Sequence, residues 1–228
     1  MKKIHICGLV LLLLNMAQGF AQQEADFEWE AYDSDEPGVI ITKYVGTDSD
    51  VIIPKEINGL PVTVVGENAF AYRQLTSVIL PDSLIVIRDF AFSDNHLINI
   101  NIPSSVIAIY GDAFSGNRLI EVVIPDSVVT IRENAFFDNR ITSITIPASV
   151  TEIGWQAFTA NPVTSITIGE NIPLNPVFPP GAIQRVGILG IDMSFEQAYI
   201  SGGRCAGTYT RPDAESTKWT RQRGGLLR

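Results

Sequence analysis

Hydrophobic and polar residues return in the same order every 22 residues over much of this chain. One unit runs Leu97-Ile98-Asn99-Ile100-Asn101-Ile102-Pro103-Ser104-Ser105-Val106-Ile107-Ala108-Ile109-Tyr110-Gly111-Asp112-Ala113-Phe114-Ser115-Gly116-Asn117. Leu97, Ile100 and Ile102 have the spacing Lxx(L/I)x(L/I). Two-residue alternation turns Ile100 and Ile102 inward from a short strand and Asn99 and Asn101 outward. Pro103 ends the strand, because it has no N–H to give the ladder. Val106 and Ile109 form a second inward segment. The Ala113-Phe114 pair turns the chain back and sends Phe114 into the core.

The same landmarks recur at Ala69-Phe70, Ala91-Phe92, Ala135-Phe136 and Ala157-Phe158, at Pro81, Pro125 and Pro147, and at Asn95, Asn139 and Asn161. A period of this length is the mark of a repeat architecture. It predicts a β-rich solenoid: a leucine-rich repeat array of 22-residue units closed by N- and C-terminal caps. Strands of neighbouring units stack about 4.8 Å apart, so like residues form ladders. Phe70, Phe92, Phe114, Phe136 and Phe158 make one ladder through the core. Asn95, Asn117, Asn139 and Asn161 make another at the turn. Buried turns leave N–H and C=O groups in need of partners, and a carboxamide supplies both donors and acceptors.

The pattern divides the chain into 1–21, a signal peptide; 22–60, a capping hairpin and the start of the first repeat; 61–169, the array; and 170–228, a C-terminal cap and tail. Lys2 and Lys3, the apolar run Ile4 to Met16 and Gly19-Phe20-Ala21 read as a cleavable export signal. The run is too short to cross a membrane as a helix. Cys7 stands at the front of it, and a lipidated cysteine needs to stand behind. Phe27, Trp29 and Ala31 alternate with charged residues as in a half-buried strand, and Val39 to Tyr44 reads as its partner across the turn-forming Asp33 to Gly38. Pro54 lies 15 residues before Ala69 where later prolines lie 10 before their alanine, so the first repeat carries five extra residues around Ile57-Asn58-Gly59-Leu60-Pro61, read as a loop. Past the period, Pro173, Pro176, Pro179 and Pro180 make a stiff connector. Ser194-Phe195-Glu196-Gln197 starts a short helix through Tyr199, and Ala206 to Thr210 with Ser216 to Thr220 makes a hairpin.

Charge adds exclusions. A net charge of −9 argues against nucleic acid and against an anionic membrane surface, which both want clustered Lys and Arg. Cleavage leaves Cys205 as the only cysteine, so the fold stands without an internal disulfide.

The units Ile124-Pro125-Asp126-Ser127-Val128-Val129-Thr130-Ile131-Arg132-Glu133-Asn134-Ala135-Phe136 and Ile146-Pro147-Ala148-Ser149-Val150-Thr151-Glu152-Ile153-Gly154-Trp155-Gln156-Ala157-Phe158 resemble the IPxSVxxIGxxAF repeats of the BspA-like (Treponema pallidum-type) leucine-rich repeat family. Ile53 to Val62 resembles that family's first unit, and Phe195 to Trp219 resembles a C-terminal segment common in spirochaete members. The resemblance spans residues 38 to 219. It implies a surface protein that adheres to host matrix proteins or to other cells. Two departures stand out: Asn95, Asn117, Asn139 and Asn161 occupy positions where many members carry Cys, and Arg73 breaks the Asn ladder.

Enzymatic chemistry finds little support. His96 falls in a solvent-facing register with Gln74, Arg118, Arg140 and Pro162. Cys205 has no histidine near it. Gly202 to Thr208 has P-loop glycine spacing without the lysine. Asp82, Asp126, Glu67, Asp89 and Glu133 are spread along the array, which makes a poor acid–base pair. The reading is therefore a non-enzyme with no cofactor and no metal. What remains is surface. The outward ladder positions Ser77, Ile79, Asn99, Asn101, Glu121, Val123, Ser143, Thr145, Ser165 and Thr167 are the candidate partner-binding residues, with Gln74, His96, Arg118 and Arg140 as a weakly basic edge beside them. The expected partner is a protein or glycan of host matrix or another cell surface, and the expected location is secreted or at a bacterial cell surface, with the periplasm as the alternative. A structural envelope scaffold with no discrete ligand is the competing function.

Overall fold

The computed structural model describes residues 24–32, 37–172 and 193–222. The segment read as a signal peptide, the turn residues 33–36, the segment read as a proline connector and residues 223–228 lie outside the described residues. The array is a β-solenoid of 22-residue turns, as the period predicts. One ribbon of parallel strands stacks Leu60–Val65, Val86–Ile87, Ala108–Ile109, Thr130–Ile131 and Glu152–Ile153, each partnered to the residue 22 positions on. Val65, Ile87, Ile109, Ile131 and Ile153 point from it into the core. A second ribbon stacks Glu121–Val123, Ser143–Ile146 and Ser165–Ile168 in the same 22-residue register.

The Phe ladder is present, with ring centroids 5.0 to 5.4 Å apart from Phe70 to Phe158. It also runs further than the repeat pattern implies. Tyr44 of the N-terminal cap stacks on Phe70 at 5.5 Å, and Phe27 closes the row on Tyr44. The Tyr44 hydroxyl stays in bonded company, donating to the carbonyl of Asp48 and accepting from its N–H. Burial pushes its pKa up.

The Asn ladder works as amide chemistry requires. The Asn117 Nδ2 donates to the carbonyls of Phe92, Phe114 and Ser115, and its Oδ1 accepts from Leu97 N–H at 3.1 Å. Asn95, Asn139 and Asn161 repeat this set one unit away each. Each side chain thus joins its own turn to the preceding one. A serine ladder accompanies it, invisible as a motif until its partners are seen. Ser83, Ser105 and Ser127 donate to the carbonyls of Val62, Leu84 and Val106 at 2.6 to 2.8 Å. Ser149 repeats the position, yet its buried hydroxyl has no partner.

The turns around each Ala-Phe pair need two left-handed residues. They fall at Asn68, Phe90, Asp112, Asn134 and Gln156, and at Tyr72, Asp94, Gly116, Asp138 and Ala160, with φ between 52° and 65°. Glycine, Asn and Asp tolerate this region, whereas other residues lose about 1–2 kcal/mol there.

The N-terminal hairpin pairs Phe27–Tyr32 with Gly38–Tyr44 and joins the first ribbon through Leu60–Val65. Burial tapers along it: Phe27 is buried, Trp29 half-buried and Ala31 exposed, although Trp29 and Ala31 pair with the buried Ile41 and Val39 beyond a register shift between Glu28 and Trp29. The extra residues of the first repeat are not an open loop but a two-residue hairpin. Glu56–Ile57 pairs antiparallel with Leu60–Val65 across Asn58-Gly59, both at positive φ, which is the type I′ preference of Asn-Gly. Asp50 consequently pairs with Ser77, 27 residues on rather than 22.

The other end is closed by helix Met193–Ser201 and the strand Gly207–Thr210, which runs antiparallel to Ser165–Ile168. The returning strand is Thr220–Arg221, shorter than the Ser216 to Thr220 expected. Phe195, Tyr199, Tyr209 and Trp219 pack together edge-on and stacked. Arg211 is buried: its Nε donates to the Val163 carbonyl at 2.7 Å and its guanidinium lies over Trp219. In the array the matching carbonyls of Leu75, Leu97 and Leu119 receive a backbone N–H from the next unit. Arg211 supplies that donor where the units stop.

Two stability outcomes follow from these ladders. Asn117→Ala strands the buried Leu97 N–H and takes one of two hydrogen bonds from the Phe92, Phe114 and Ser115 carbonyls, which keep Asn95, Asn139 and the Asp94 N–H, and thermal or urea unfolding should show a loss of about 1–3 kcal/mol. Ala160→Gly relieves a left-handed alanine and should gain about 1 kcal/mol in the same assay, whereas Gly116→Ala should lose more than that amount, since its Cβ would also sit 2.8 Å from the Asp94 Oδ1.

Candidate functional site

The second ribbon carries the outward positions singled out from the sequence. Ser77, Ile79, Asn99, Asn101, Glu121 and Val123 are exposed, while Ser143, Thr145, Ser165 and Thr167 are half-buried. At the last rung the C-terminal cap covers the face, pairing Ser165 with Thr210 and Thr167 with Thr208, the two threonine hydroxyls of the latter pair lying 2.9 Å apart; Ser143 and Thr145 stand one rung further in, between two strand neighbours.

The ribbon is not continuous. Ser77–Ile79 pairs with Asp50–Ile52 as a separate two-stranded sheet, and the main ribbon starts only at Glu121. Between them Asn99-Ile100-Asn101 forms no strand, contrary to the unit read from the sequence. Ile100 is only half-buried where Val78, Val122, Ile144 and Ile166 are buried. Asn is disfavoured in strands, and this rung alone presents two of them.

The edge beside the face is as aligned as expected. Gln74, Arg118 and Arg140 are exposed and His96 is half-buried. With Asp94, Asp138 and the ladder asparagines, His96, Arg118 and Arg140 line a shallow polar groove. Among the described residues, no group of three or more His, Cys, Asp or Glu is placed to hold a metal ion. Cys205 is half-buried, with its thiol 3.8 Å from the Gly203 carbonyl. No helix among the described residues is long and apolar enough to cross a membrane.

A profile of the BspA type leucine rich repeat region matches residues 63–174 in six copies. The array is thus a BspA-type leucine-rich repeat region. Solved structures with a similar course include the Treponema pallidum leucine rich repeat protein, at 23% identity over 61% of this chain and 88% of that one, with a TM-score of 0.43. The pneumococcal vaccine antigen PcpA aligns at 19% identity over 66% of this chain and 50% of its own, with a TM-score of 0.48. A leucine rich cell surface protein of Faecalibacterium prausnitzii aligns at 23% over 71% of this chain and 57% of its own, with a TM-score of 0.41. The chain thus spans only about half of the latter two. No curated protein sequence matches it. BspA-type repeats point in general to protein–protein interaction or adhesion.

Sequence reasoning passed over two residues of this BspA-type face. Ile98 and Ile120 stand one place after the buried Leu97 and Leu119 and are 48% exposed. The signal was present: the same register holds Thr76, Thr142 and Thr164, so two isoleucines at a solvent position break the pattern.

One carboxyl on the far side of the array is perturbed. Burial raises the pKa of Asp112 above its ordinary value, and the negative charges of Glu133 and Asp89 add to the rise, against hydrogen bonds from Asn134 and Ser115. A raised native pKa means the folded chain holds the proton longer than the unfolded one, so this group's contribution falls as pH rises through that window. Asp112→Asn places there the residue that Asn68 and Asn134 already supply in other units. Chemical denaturation as a function of pH should show the variant more stable than the parent at neutral pH, with the decline just above the ordinary Asp range removed.

Proposed function

We propose that this is an exported binding protein that holds another macromolecule, a protein or glycan of host matrix or of another cell, on its strand face at a bacterial surface. The observation that carries this reading is a division of labour within the repeat. Inward positions keep their residue type from unit to unit and are consumed by packing, whereas the outward positions Ser77, Ile79, Asn99, Asn101, Glu121 and Val123 change from unit to unit and are exposed. Solenoids present such a face as an extended recognition surface. The family's general association with interaction and adhesion agrees, and the lysine and arginine complement, outnumbered 16 to 25, makes nucleic acid a poor partner.

The test is a surface-plasmon screen of the mature chain against extracellular matrix proteins and a glycan array. At least one partner should bind, and Asn101→Arg combined with Glu121→Arg should weaken it by tenfold or more, about 1.4 kcal/mol. Binding that ignores every substitution on this face would place the function elsewhere.

A further inference from the structure

A shallow groove of about 400 Å³ follows the turn edge of the array, beside the strand face and separate from it. Asp94, Gly116 and Asp138 form one bank, and His96, Arg118 and Arg140 form the other, one residue of each per rung. Between the banks lie three buried ladder asparagines. Their amides are taken up by backbone groups of the turns, so the floor is fixed before any ligand arrives.

The two banks carry opposite charge. Among the described residues no ion pair joins them; the pairs present are Lys43–Glu28 and Arg132–Glu152. Two exposed carboxylates thus face two exposed guanidiniums across an open space. The middle rung has no side chain on the acidic bank, and the Asp94 carboxylate leans toward it: a Cβ added to Gly116 would lie 2.8 Å from the Asp94 Oδ1.

Tyr72 heads the acidic bank, one rung before Asp94. It is 74% exposed and held at a φ of 57°. Asp94, Gly116 and Asp138 suit that left-handed position, whereas a tyrosine is disfavoured there. At such exposure packing offsets little of the strain. A hydrogen bond to the Asp94 carboxylate, and the charge of that group, raise the phenol pKa and hold the ring beside the groove. Strained side chains of this kind collect where ligands are clamped.

We infer that this groove binds a neutral, β-linked saccharide lying along the solenoid axis, with one sugar ring on Tyr72 and its hydroxyls between the two banks. A hydroxyl both donates and accepts, so it satisfies Asp94 or Asp138 on one side and Arg118 or Arg140 on the other. A polyanion or polycation is repelled by one bank or the other. Tyr72 supplies an aromatic face for the C–H face of a pyranose and a polar tip beside it. Rung spacing selects further. The stacked rings are 5.0 to 5.4 Å apart, and a pyranose in an extended β-linked chain advances by nearly the same step. Same-side residues of an extended peptide are about 6.7 Å apart and lose register within two rungs. This site lies off the strand face and does not depend on a macromolecule docking there.

Titration calorimetry of the mature chain tests it with five probes: cellotetraose, chitotetraose, the α-linked maltotetraose, a β-linked but anionic hyaluronan tetrasaccharide, and a peptide alternating Lys and Glu. Cellotetraose or chitotetraose should bind, and more tightly than the other three. Tyr72→Gly should weaken that binding by about tenfold while raising the unfolding midpoint, because glycine takes a positive φ freely. Asp94→Asn with Asp138→Asn, and Arg118→Gln with Arg140→Gln, should each weaken it by about tenfold. Asn suits the left-handed position, and Gln74 already stands in the arginine register. Asn101→Arg with Glu121→Arg on the strand face should leave the affinity unchanged.

The inference is overturned if neither neutral β-linked tetrasaccharide binds, or if maltotetraose, the anionic saccharide or the peptide binds as tightly. It is overturned too if Tyr72→Gly and both charge exchanges leave binding intact, or if the strand-face pair abolishes it. A matrix partner lost with the strand-face pair, without saccharide binding, upholds the strand face and sinks the groove. Saccharide binding lost with Tyr72→Gly, without any partner on the strand face, does the reverse.

Discussion

The array depends on a carboxamide that reaches between turns. Each ladder asparagine donates to the carbonyl of its own unit's phenylalanine and to that of the unit before, while its oxygen holds the N–H that opens its own unit, just past the preceding turn. The two sheet ribbons satisfy the straight parts of the backbone, but they cannot satisfy the tight bend behind each Ala-Phe pair. Left unpaired, those buried groups would carry a desolvation cost greater than an ordinary hydrogen bond returns. The ring stack is therefore secondary to the amides. Phe92 and Phe114 sit in register because the turns that deliver them are tied to each other.

Both ends meet the same difficulty with different side chains. At the start, Tyr44 takes the ring position of a missing phenylalanine, and its hydroxyl occupies the backbone of Asp48. At the finish, Arg211 substitutes a guanidinium N–H for a backbone one, and the Tyr199 hydroxyl donates to Gly169 while accepting from Ile172. A terminal unit has to replace a neighbour's hydrogen bonds as well as hide its core, and these polar-tipped aromatic and cationic side chains do both.

The repeating parts were legible in the sequence because the period multiplies each signal. Phe, Asn and Pro at fixed spacing lead directly to the stack, the amide ladder and the strand ends. What escaped depended on single residues or on departures from the period. Tyr44 looked like a strand residue, because nothing local says that a tyrosine is continuing a row of phenylalanines. Asn58-Gly59 read as a loop although it is the strongest short hairpin signal, since a two-residue strand beside it is too brief to notice. The break at Asn99-Ile100-Asn101 is a local failure of strand propensity inside a unit that otherwise fits. The outward positions of the candidate face were legible as positions, but the covering of Ser165 and Thr167 was not, because the strand Gly207–Thr210 that pairs with them comes from beyond the period.

Asparagine, serine and phenylalanine ladders and the left-handed positions all share one 22-residue step. That common step makes array length a quantised property. A whole unit can be duplicated or removed and every ladder closes again, leaving both ends intact, whereas a shift of any other size would miss all of them together. Reach along the solenoid axis is therefore free to vary in increments of about 5 Å, and the spacing between recognition features on the face can be altered by recombination without redesigning any contact in the interior.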